Sequence, residues 1–328
     1  VNGLNRIEII GTDRHAFLDC MMCGKVARRP GKVGLGYLLN DHGMVKAEAT
    51  IANIPASERG PDRVWYGSAA ASELHDMDWL TSHLRPDEDV SIRSLTNDQT
   101  ILVLAGPRAR DVLKACSRDD WSNAAFPWLS VRESFVGIAP ATVMSVSYSG
   151  ELAFEIHVPN ASLYTAFLAL TEAGAAYGLK LFGARAVESM RLEKGYLHWK
   201  TDLLTEFDPY ETGLDRFVSI DKGDFIGREA LLKRRANGPR RRLVTLEVDR
   251  ADAPARGGAS VMYNGALAGT VTSGDWGHRS GLNLALAFLE PGLVALGSEL
   301  TIDILGEWTS AKVIPSTPFD PDTRRPRA

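Results

Sequence analysis

Met144-Ser-Val-Ser-Tyr148-Ser-Gly150-Glu-Leu152-Ala-Phe-Glu155-Ile-His-Val158-Pro159 is the stretch on which the reading of this chain turns. Leu152, Phe154, Ile156 and Val158 alternate with Ala153, Glu155 and His157, the period-two pattern of a strand with one buried face. Ser149-Gly150 is a turn signal, so Met144 to Tyr148 and Leu152 to Val158 are expected to form a hairpin about it. Asn160 then reads as the cap of a helix in which Leu163, Phe167 and Leu170 share a face and which Gly178 ends. Hairpins interleaved with helices, without regular strand–helix alternation, point to an α+β fold rather than a doubly wound parallel sheet.

The same logic extends outward. Thr100 to Ala105 is an apolar strand, followed by Gly106-Pro107 and a helix through Cys116 with proline at its first turn. A change of texture comes at residues 233–242, KRRANGPRRR, which is charged and broken by Gly238-Pro239. Such a cluster could bind phosphate or RNA, but at a linker it reads as a solvated run. Beyond it lie short strands (Leu243 to Val248, Leu284 to Phe288, Leu300 to Ile304) and a type I′ hairpin signal at Asn264-Gly265. Residues 1–238 are therefore expected to form one region and residues 239–328 a small β-barrel or sandwich. The polar tail from Asp320 is expected to be loosely held.

Composition narrows the class. The chain has 328 residues, 45 % hydrophobic and 24 % charged, with 37 Lys and Arg against 41 Asp and Glu. That acidic balance argues against a nucleic-acid binder. No apolar run reaches the roughly 18 residues of a membrane span, and the amino terminus lacks the features of a secretory signal. The chain opens at Val1, inside what reads as a folded region, so a trimmed chain or one module of a longer protein is expected. Cys20-x-x-Cys23 could suggest metal or redox chemistry. However, Phe17 with Met21 and Leu18 with Met22 fall at helical spacing, and no second pair completes a zinc site. Cys116, just beyond Val112 and Leu113, reads as core. A reducing, cytoplasmic compartment and no metal site follow as expectations. P-loop, G-x-G-x-x-G, H-E-x-x-H and G-x-S-x-G signatures are all missing, so the chemistry rests on something less generic.

Three segments carry a resemblance. They are Tyr148 to Pro159 above, Gly183-Ala-Arg185-Ala-Val-Glu-Ser-Met-Arg191-Leu-Glu-Lys-Gly-Tyr196, and His198-Trp-Lys-Thr-Asp202-Leu-Leu-Thr-Glu-Phe-Asp-Pro-Tyr-Glu211-Thr-Gly-Leu. Asn40-x-x-Gly43, Ala105-Gly-Pro107, Phe126-Pro127 and Pro318-Phe-Asp-Pro321 support them. In order and spacing the chain resembles the glycine cleavage T-protein (aminomethyltransferase) family. The third segment leans toward the folate-binding carboxyl-terminal part of dimethylglycine and sarcosine dehydrogenases.

The resemblance implies aminomethyltransferase-like folate-binding domains around a central cavity, followed by a carboxyl-terminal β-barrel. It also implies tetrahydrofolate-dependent transfer of a one-carbon unit from a methylated amine-type donor, with 5,10-methylenetetrahydrofolate as product. The oxidation would fall to a flavin oxidase or dehydrogenase domain or subunit outside this chain. Glu155 matches the glutamate that grips the pterin; a carboxylate can accept two adjacent N–H donors of that ring. On pattern alone, the Glu155 face reads as the wet side of a hairpin; the resemblance reverses that reading. Tyr148 matches a tyrosine lining the folate site, where a hairpin tyrosine would otherwise be packing. Arg185 matches a folate-contacting arginine, the other reading being a helical ion pair with Glu188.

The reacting centre departs from the family pattern. Eight residues after Asn40 the family places an aspartate, and here stands Glu48, one methylene longer, as the candidate catalytic carboxylate. A tyrosine expected about five residues before Asn40 is replaced by Leu35, with Tyr37 two residues out of register. Arg191 and Glu193 read as structural, while His198, Trp199 and Asp202 either line the site or brace the loop. Three alternatives share the scaffold: a tetrahydrofolate-dependent S- or O-demethylase, a direct glycine-cleavage protein, and a non-catalytic folate-binding protein. Glu48 disfavours the second. Lys194-Gly195-Tyr196, which lacks the cysteine typical of the third group, counts against that one.

Overall fold

The computed structural model describes residues 3–328. It is built from three all-antiparallel β units with helices packed on them. The first sheet contains β1 (Ile7–Ile10), β2 (Val33–Leu39), β3 (Val45–Ile54), β4 (Arg63–Gly67) and β5 (Ser91–Ser94), in the order β2-β3-β4-β1-β5. Its apolar face packs against α1 (Arg14–Met21) and α2 (Glu73–Ser82) in a core that includes Ile7, Phe17, Leu18, Tyr37, Tyr66 and Leu80. Cys23 is buried in that core and Cys20 is exposed; both are free thiols, and burial pushes the Cys23 thiol up to about 12.

The second sheet contains β6 (Gln99–Ala105), β7 (Val131–Val136), β8 (Ala139–Met144) and β9 (Ala153–Pro159), in the order β6-β9-β8-β7. Phe154, Ile156 and Val158 of β9 enter the core beneath α3 (Ala109–Cys116) and α4 (Leu163–Ala175), as the alternation requires. The opposite face turns toward the first sheet. A separate cluster of Val33, Ala52, Ile54 and Trp65 with Val131 and Met144 joins the two sheets there.

Three local expectations are corrected. The strand before β9 ends at Met144 rather than running to Tyr148, so Ser145 to Leu152 form a longer connection. Gly150, at φ 76°, still turns within it, and a Cβ there would press on Lys194. Asn160 does not cap α4. It opens a 3₁₀ turn (Asn160–Ser162), and its side chain instead bonds Asn97 O and the Thr100 hydroxyl. The third correction is the tail. Lys194 Nζ, 1 % exposed, holds Asp320; Arg110 Nε donates to Ala328 O; and Asn123 donates to Arg327 O. Buried donors upstream were invisible as partners for a polar tail, and they pin it.

Two helices lead to the barrel: α5 (Ala184–Glu193) and α6 (Arg228–Asn237). The strands β10 (Arg242–Val248), β11 (Ser260–Tyr263), β12 (Ala266–Gly277), β13 (Leu282–Leu289), β14 (Glu299–Ile304) and β15 (Glu307–Ile314) close into a barrel, in the order β10-β13-β12-β11-β14-β15. Asn264 (φ 49°) and Gly265 (φ 79°) form the two-residue turn between β11 and β12 that their sequence announced. Leu192 of α5 packs on Leu284 and Leu286 of β13, so the barrel is fastened to the helix that also carries Arg185. Among the described residues, no helix is long and apolar enough to cross a membrane.

Candidate functional site

Glu48 lies on β3, whose burial alternates so that Lys46, Glu48 and Thr50 are the more open positions between buried Ala47, Ala49 and Ile51. Its register partner on β2 is Tyr37, and the Tyr37 hydroxyl donates to Glu48 Oε2 at 2.7 Å. Tyr37 itself is buried, with its ring edge-on to Phe217 at 5.1 Å. Burial lifts the Glu48 carboxyl from 4.5 to about 7, against the pull of the Tyr37 hydrogen bond. A carboxyl held there carries and releases a proton near neutrality. The sequence flagged Tyr37 as out of register; the structure makes it the hydrogen-bond partner of Glu48.

Thr50, on the same face of β3, lines a narrow cleft between the two sheets together with Asn5, Arg6, Trp65, Met144, Glu155 and His157. Glu155 thus stands across the sheet-to-sheet seam, its side chain 19 % exposed, with His157 Nε2 3.3 Å from Oε2. The His157 ring packs on Trp65 at 5.5 Å. Among the described residues, the Glu155 carboxylate accepts no hydrogen bond with good geometry, and Arg6 Nε and Nη1 are buried without partners. Arg6 and His157 were not singled out from the sequence. Arg6 lies far away in the chain, and His157 was visible only as a residue on the Glu155 face.

Tyr148 is 38 % exposed, and its hydroxyl donates to Leu197 O at 3.3 Å. Burial of its surroundings pushes the phenol up; the Arg191 charge opposes this, while Glu188, Glu48 and Asp202 add to it. Tyr148 is therefore within the electrostatic reach of Glu48. Arg185, in the first turn of α5, is exposed and forms no ion pair among the described residues. The expected helical partner Glu188 is taken by Arg191 instead.

Arg191 is fully buried and has a different task. It ion-pairs with Asp202, and its Nη2 donates to Ser273 Oγ at 2.8 Å. Asp202 also accepts from Ser273 Oγ at 2.6 Å and from His198 N at 2.9 Å. Asp202 and Trp199, whose indole donates to Ser72 Oγ at 2.7 Å, brace the loop rather than line the cleft. Glu193 accepts from Arg279 Nε and from the backbone of Arg279 and Ser280, each at 2.6 Å. These bonds tie α5 to the barrel and so fix where Arg185 is presented. A larger cavity of about 570 Å³ lies apart, lined by Lys25, Lys222, Arg234, Arg235 and Arg242 with Asp215 and Asp221; none of Glu48, Tyr148, Glu155 or Arg185 lines it. No cluster of metal-ligand type occurs among the described residues.

The architecture and the sequence converge on one assignment. Residues 1–222 match the GCVT N-terminal domain family, and residues 241–320 match the glycine cleavage T-protein C-terminal barrel domain. The chain belongs to the glycine cleavage T-protein family. Its fold superposes on the glycine cleavage system aminomethyltransferase T of Bartonella henselae with a TM-score of 0.86, covering 97 % of this chain and 84 % of that one at 21 % identity. It is 31 % identical over 311 residues to mitochondrial dimethylglycine dehydrogenase of Rattus norvegicus, covering 94 % of this chain and 36 % of that protein. An aminomethyltransferase of Bacillus licheniformis is 29 % identical, with 97 % of this chain and 85 % of that protein covered. The chain therefore spans about a third of the length of the dehydrogenase relatives and most of the length of the aminomethyltransferase.

Proposed function

We propose that this chain transfers a one-carbon unit from a methylated amine-type donor to tetrahydrofolate. The observation that carries the reading is the Glu48 carboxyl, poised near 7 on β3, in the sheet that meets Glu155 of the second sheet across a narrow seam. Glu155 offers acceptors for the adjacent N–H donors of a pterin, with apolar Trp65 and Met144 beside it; the cleft they line holds about 20 Å³ and must widen to admit the ring. Tyr148 supplies an exposed aromatic edge, and Arg185 an unpaired cation for the acidic end of a folate. When bound, tetrahydrofolate supplies the nitrogen nucleophile that accepts the one-carbon unit.

What the protein contributes is position and protons. Glu155 fixes the ring and Tyr148 borders it. Glu48, braced by Tyr37, orients the donor, stabilises positive charge developing on it as the anion, or relays a proton at its free oxygen. The extra methylene relative to aspartate is offset here by the Tyr37 hydroxyl, which holds the carboxylate from the neighbouring strand. Oxidation of the donor belongs to a flavin domain or subunit outside residues 1–328. The one-third coverage of dimethylglycine and sarcosine dehydrogenases, and of the sarcosine oxidase alpha subunit of Rhizobium meliloti, supports this.

Calorimetry with tetrahydrofolate tests the binding claim: measurable affinity that is lost in Glu155→Ala is expected, and binding indifferent to that change would sink it. Incubation with tetrahydrofolate and a panel of methylated donors, with and without an added flavin amine dehydrogenase to supply the two-electron oxidation to the iminium, then separates the transfer modes. Methylene-folate marks the proposed reaction, whereas methyl-folate marks a direct S- or O-demethylase.

A further inference from the structure

The charged run at residues 233–242 does more than span a linker. Gly238, at φ 76°, and Pro239 separate α6 from β10, and Arg234, Arg235 and Arg242 from either side of them line the cavity of about 570 Å³. Lys25 and Lys222 line it too. The run's other arginines are paired elsewhere. Arg240 binds Glu211 at 2.9 Å, and Arg241 donates to Ala268 O at 2.9 Å with Glu290 at 3.4 Å. In the cavity the pattern is reversed. The side chains of Lys25, Arg235 and Arg242 make no hydrogen bond or ion pair among the described residues. Arg234 keeps Nε on His42 O at 2.9 Å, and Lys222 donates to Asp19 O and Gly24 O, so these two brace the wall.

The chain as a whole is acidic, yet this one hollow gathers five cations against two carboxylates, Asp215 and Asp221. A concave wall dominated by one sign of charge focuses its field on an entering ion of the other sign. Guanidinium groups match phosphate oxygens with paired N–H bonds, and an ammonium adds a point charge. The volume falls within the range of small-molecule sites, roughly 300–1,000 Å³. Tyr210, Val218 and Ile220 give the cavity an aromatic and apolar wall, and the two carboxylates can accept from hydroxyl or amino groups. An inorganic anion uses neither feature. We propose that this cavity binds an organic phosphate of nucleoside diphosphate size. Its phosphates rest on Lys25, Arg235 and Arg242, and its organic part lies against Tyr210, Val218 and Ile220. A single-stranded RNA calls instead for a basic groove that tracks its backbone, whereas these cations converge on one hollow. None of Glu48, Tyr148, Glu155 or Arg185 lines the cavity, so this site is independent of the one-carbon reading.

Calorimetry in magnesium-free, low-salt buffer tests this with ADP, pyrophosphate, adenosine and citrate as probes. ADP is expected to bind most tightly, pyrophosphate more weakly, and adenosine not measurably. Arg235→Gln and Arg242→Gln should each weaken ADP binding by about tenfold, the loss of one charge-assisted contact. Both residues are exposed, so each variant should melt like the wild type. Arg241→Gln removes a charge of the same run that is paired elsewhere, and it should leave the affinity unchanged. Failure of ADP and pyrophosphate to bind overturns the proposal. So does an equal loss in Arg241→Gln, which would reduce the effect to general surface charge, or ADP affinity unmoved in both cavity variants. Citrate binding as tightly as ADP overturns the phosphate assignment, and pyrophosphate binding as tightly overturns the organic part.

Discussion

Tyr37 donates its phenolic hydrogen to Glu48 Oε2 at 2.7 Å from the position directly opposite on the neighbouring strand. The bond works on both partners. It pulls the Glu48 carboxyl down against burial, and the Glu48 charge, after burial itself, helps hold the Tyr37 phenol well above its ordinary value. The phenol thus remains a donor across the working pH range.

Removing that donor moves the titration of Glu48 in a defined direction. In Tyr37→Phe the downward pull is gone and burial remains, so the carboxyl titrates above the wild-type value of about 7. If the anion acts in transfer, the rising limb of kcat/KM against pH shifts upward by about one unit. A pH–rate profile that coincides with the wild type refutes the coupling.

Glu48 also costs stability. Its pKa is 4.5 before burial and about 7 in the fold, so the folded state prefers the protonated form. Its contribution is whole below about pH 4.5 and is lost as pH rises to about 7. Because the group is only half-buried, solvent reduces the full linkage value, and Glu48→Gln is expected to gain about 1–3 kcal/mol at pH 8 and nothing at pH 4. Denaturant melts at the two pH values check this; equal gains at both would contradict it. Transfer activity should fall in the same variant.

The Arg191–Asp202 pair fastens α5 to the loop that follows it, and through Ser273 both residues reach the barrel. Asp202→Ala leaves a fully buried guanidinium with only the part-exposed Glu188 as counter-charge and should destabilise the chain by about 2–4 kcal/mol. The double variant Arg191→Met with Asp202→Ala should recover part of that loss in urea titrations. Additive losses would show that the two residues do not act as a pair.

Arg185 is the opposite case. It is exposed and unpaired, so Arg185→Ala should leave stability within about 0.5 kcal/mol of wild type. Tetrahydrofolate affinity should nevertheless fall by about tenfold, the loss of roughly one charge-assisted contact. Unchanged affinity by calorimetry would remove Arg185 from the site.

The tail is part of the fold. Deleting residues 320–328 strips the buried Lys194 ammonium of Asp320 and frees Arg110 from Ala328. A loss of at least about 2 kcal/mol is expected in thermal or denaturant melts. A truncated chain as stable as the full one would mean that these contacts contribute nothing net.

The α+β class, the carboxyl-terminal barrel and the inward face of β9 were legible because they depend on local patterns. Alternation placed Phe154, Ile156 and Val158 in the core and left Glu155 and His157 together on the other face. Asn264-Gly265 dictated its own turn through two positive φ angles. The end of β8 at Met144, the unused Asn160 cap and the anchored tail were not legible, because each depends on a partner distant in sequence.

The reacting centre shows where the boundary falls. Sequence alone determined that a carboxylate stands at Glu48 and that Tyr37 is two residues out of the family register. Counting back from the Asn40–Gly43 turn, an unbroken hairpin continuing the Leu39–Val45 pairing would set Glu48 opposite Gly36. A bulge between Leu38 and Leu39 shifts the pairing by one residue and brings Tyr37 opposite Glu48 instead. In the same way, the packing of one sheet on the other gathers Arg6, Thr50 and Glu155 into one cleft. Residue identity is written along the chain. Which identities face one another is decided by strand register and sheet packing, which are non-local.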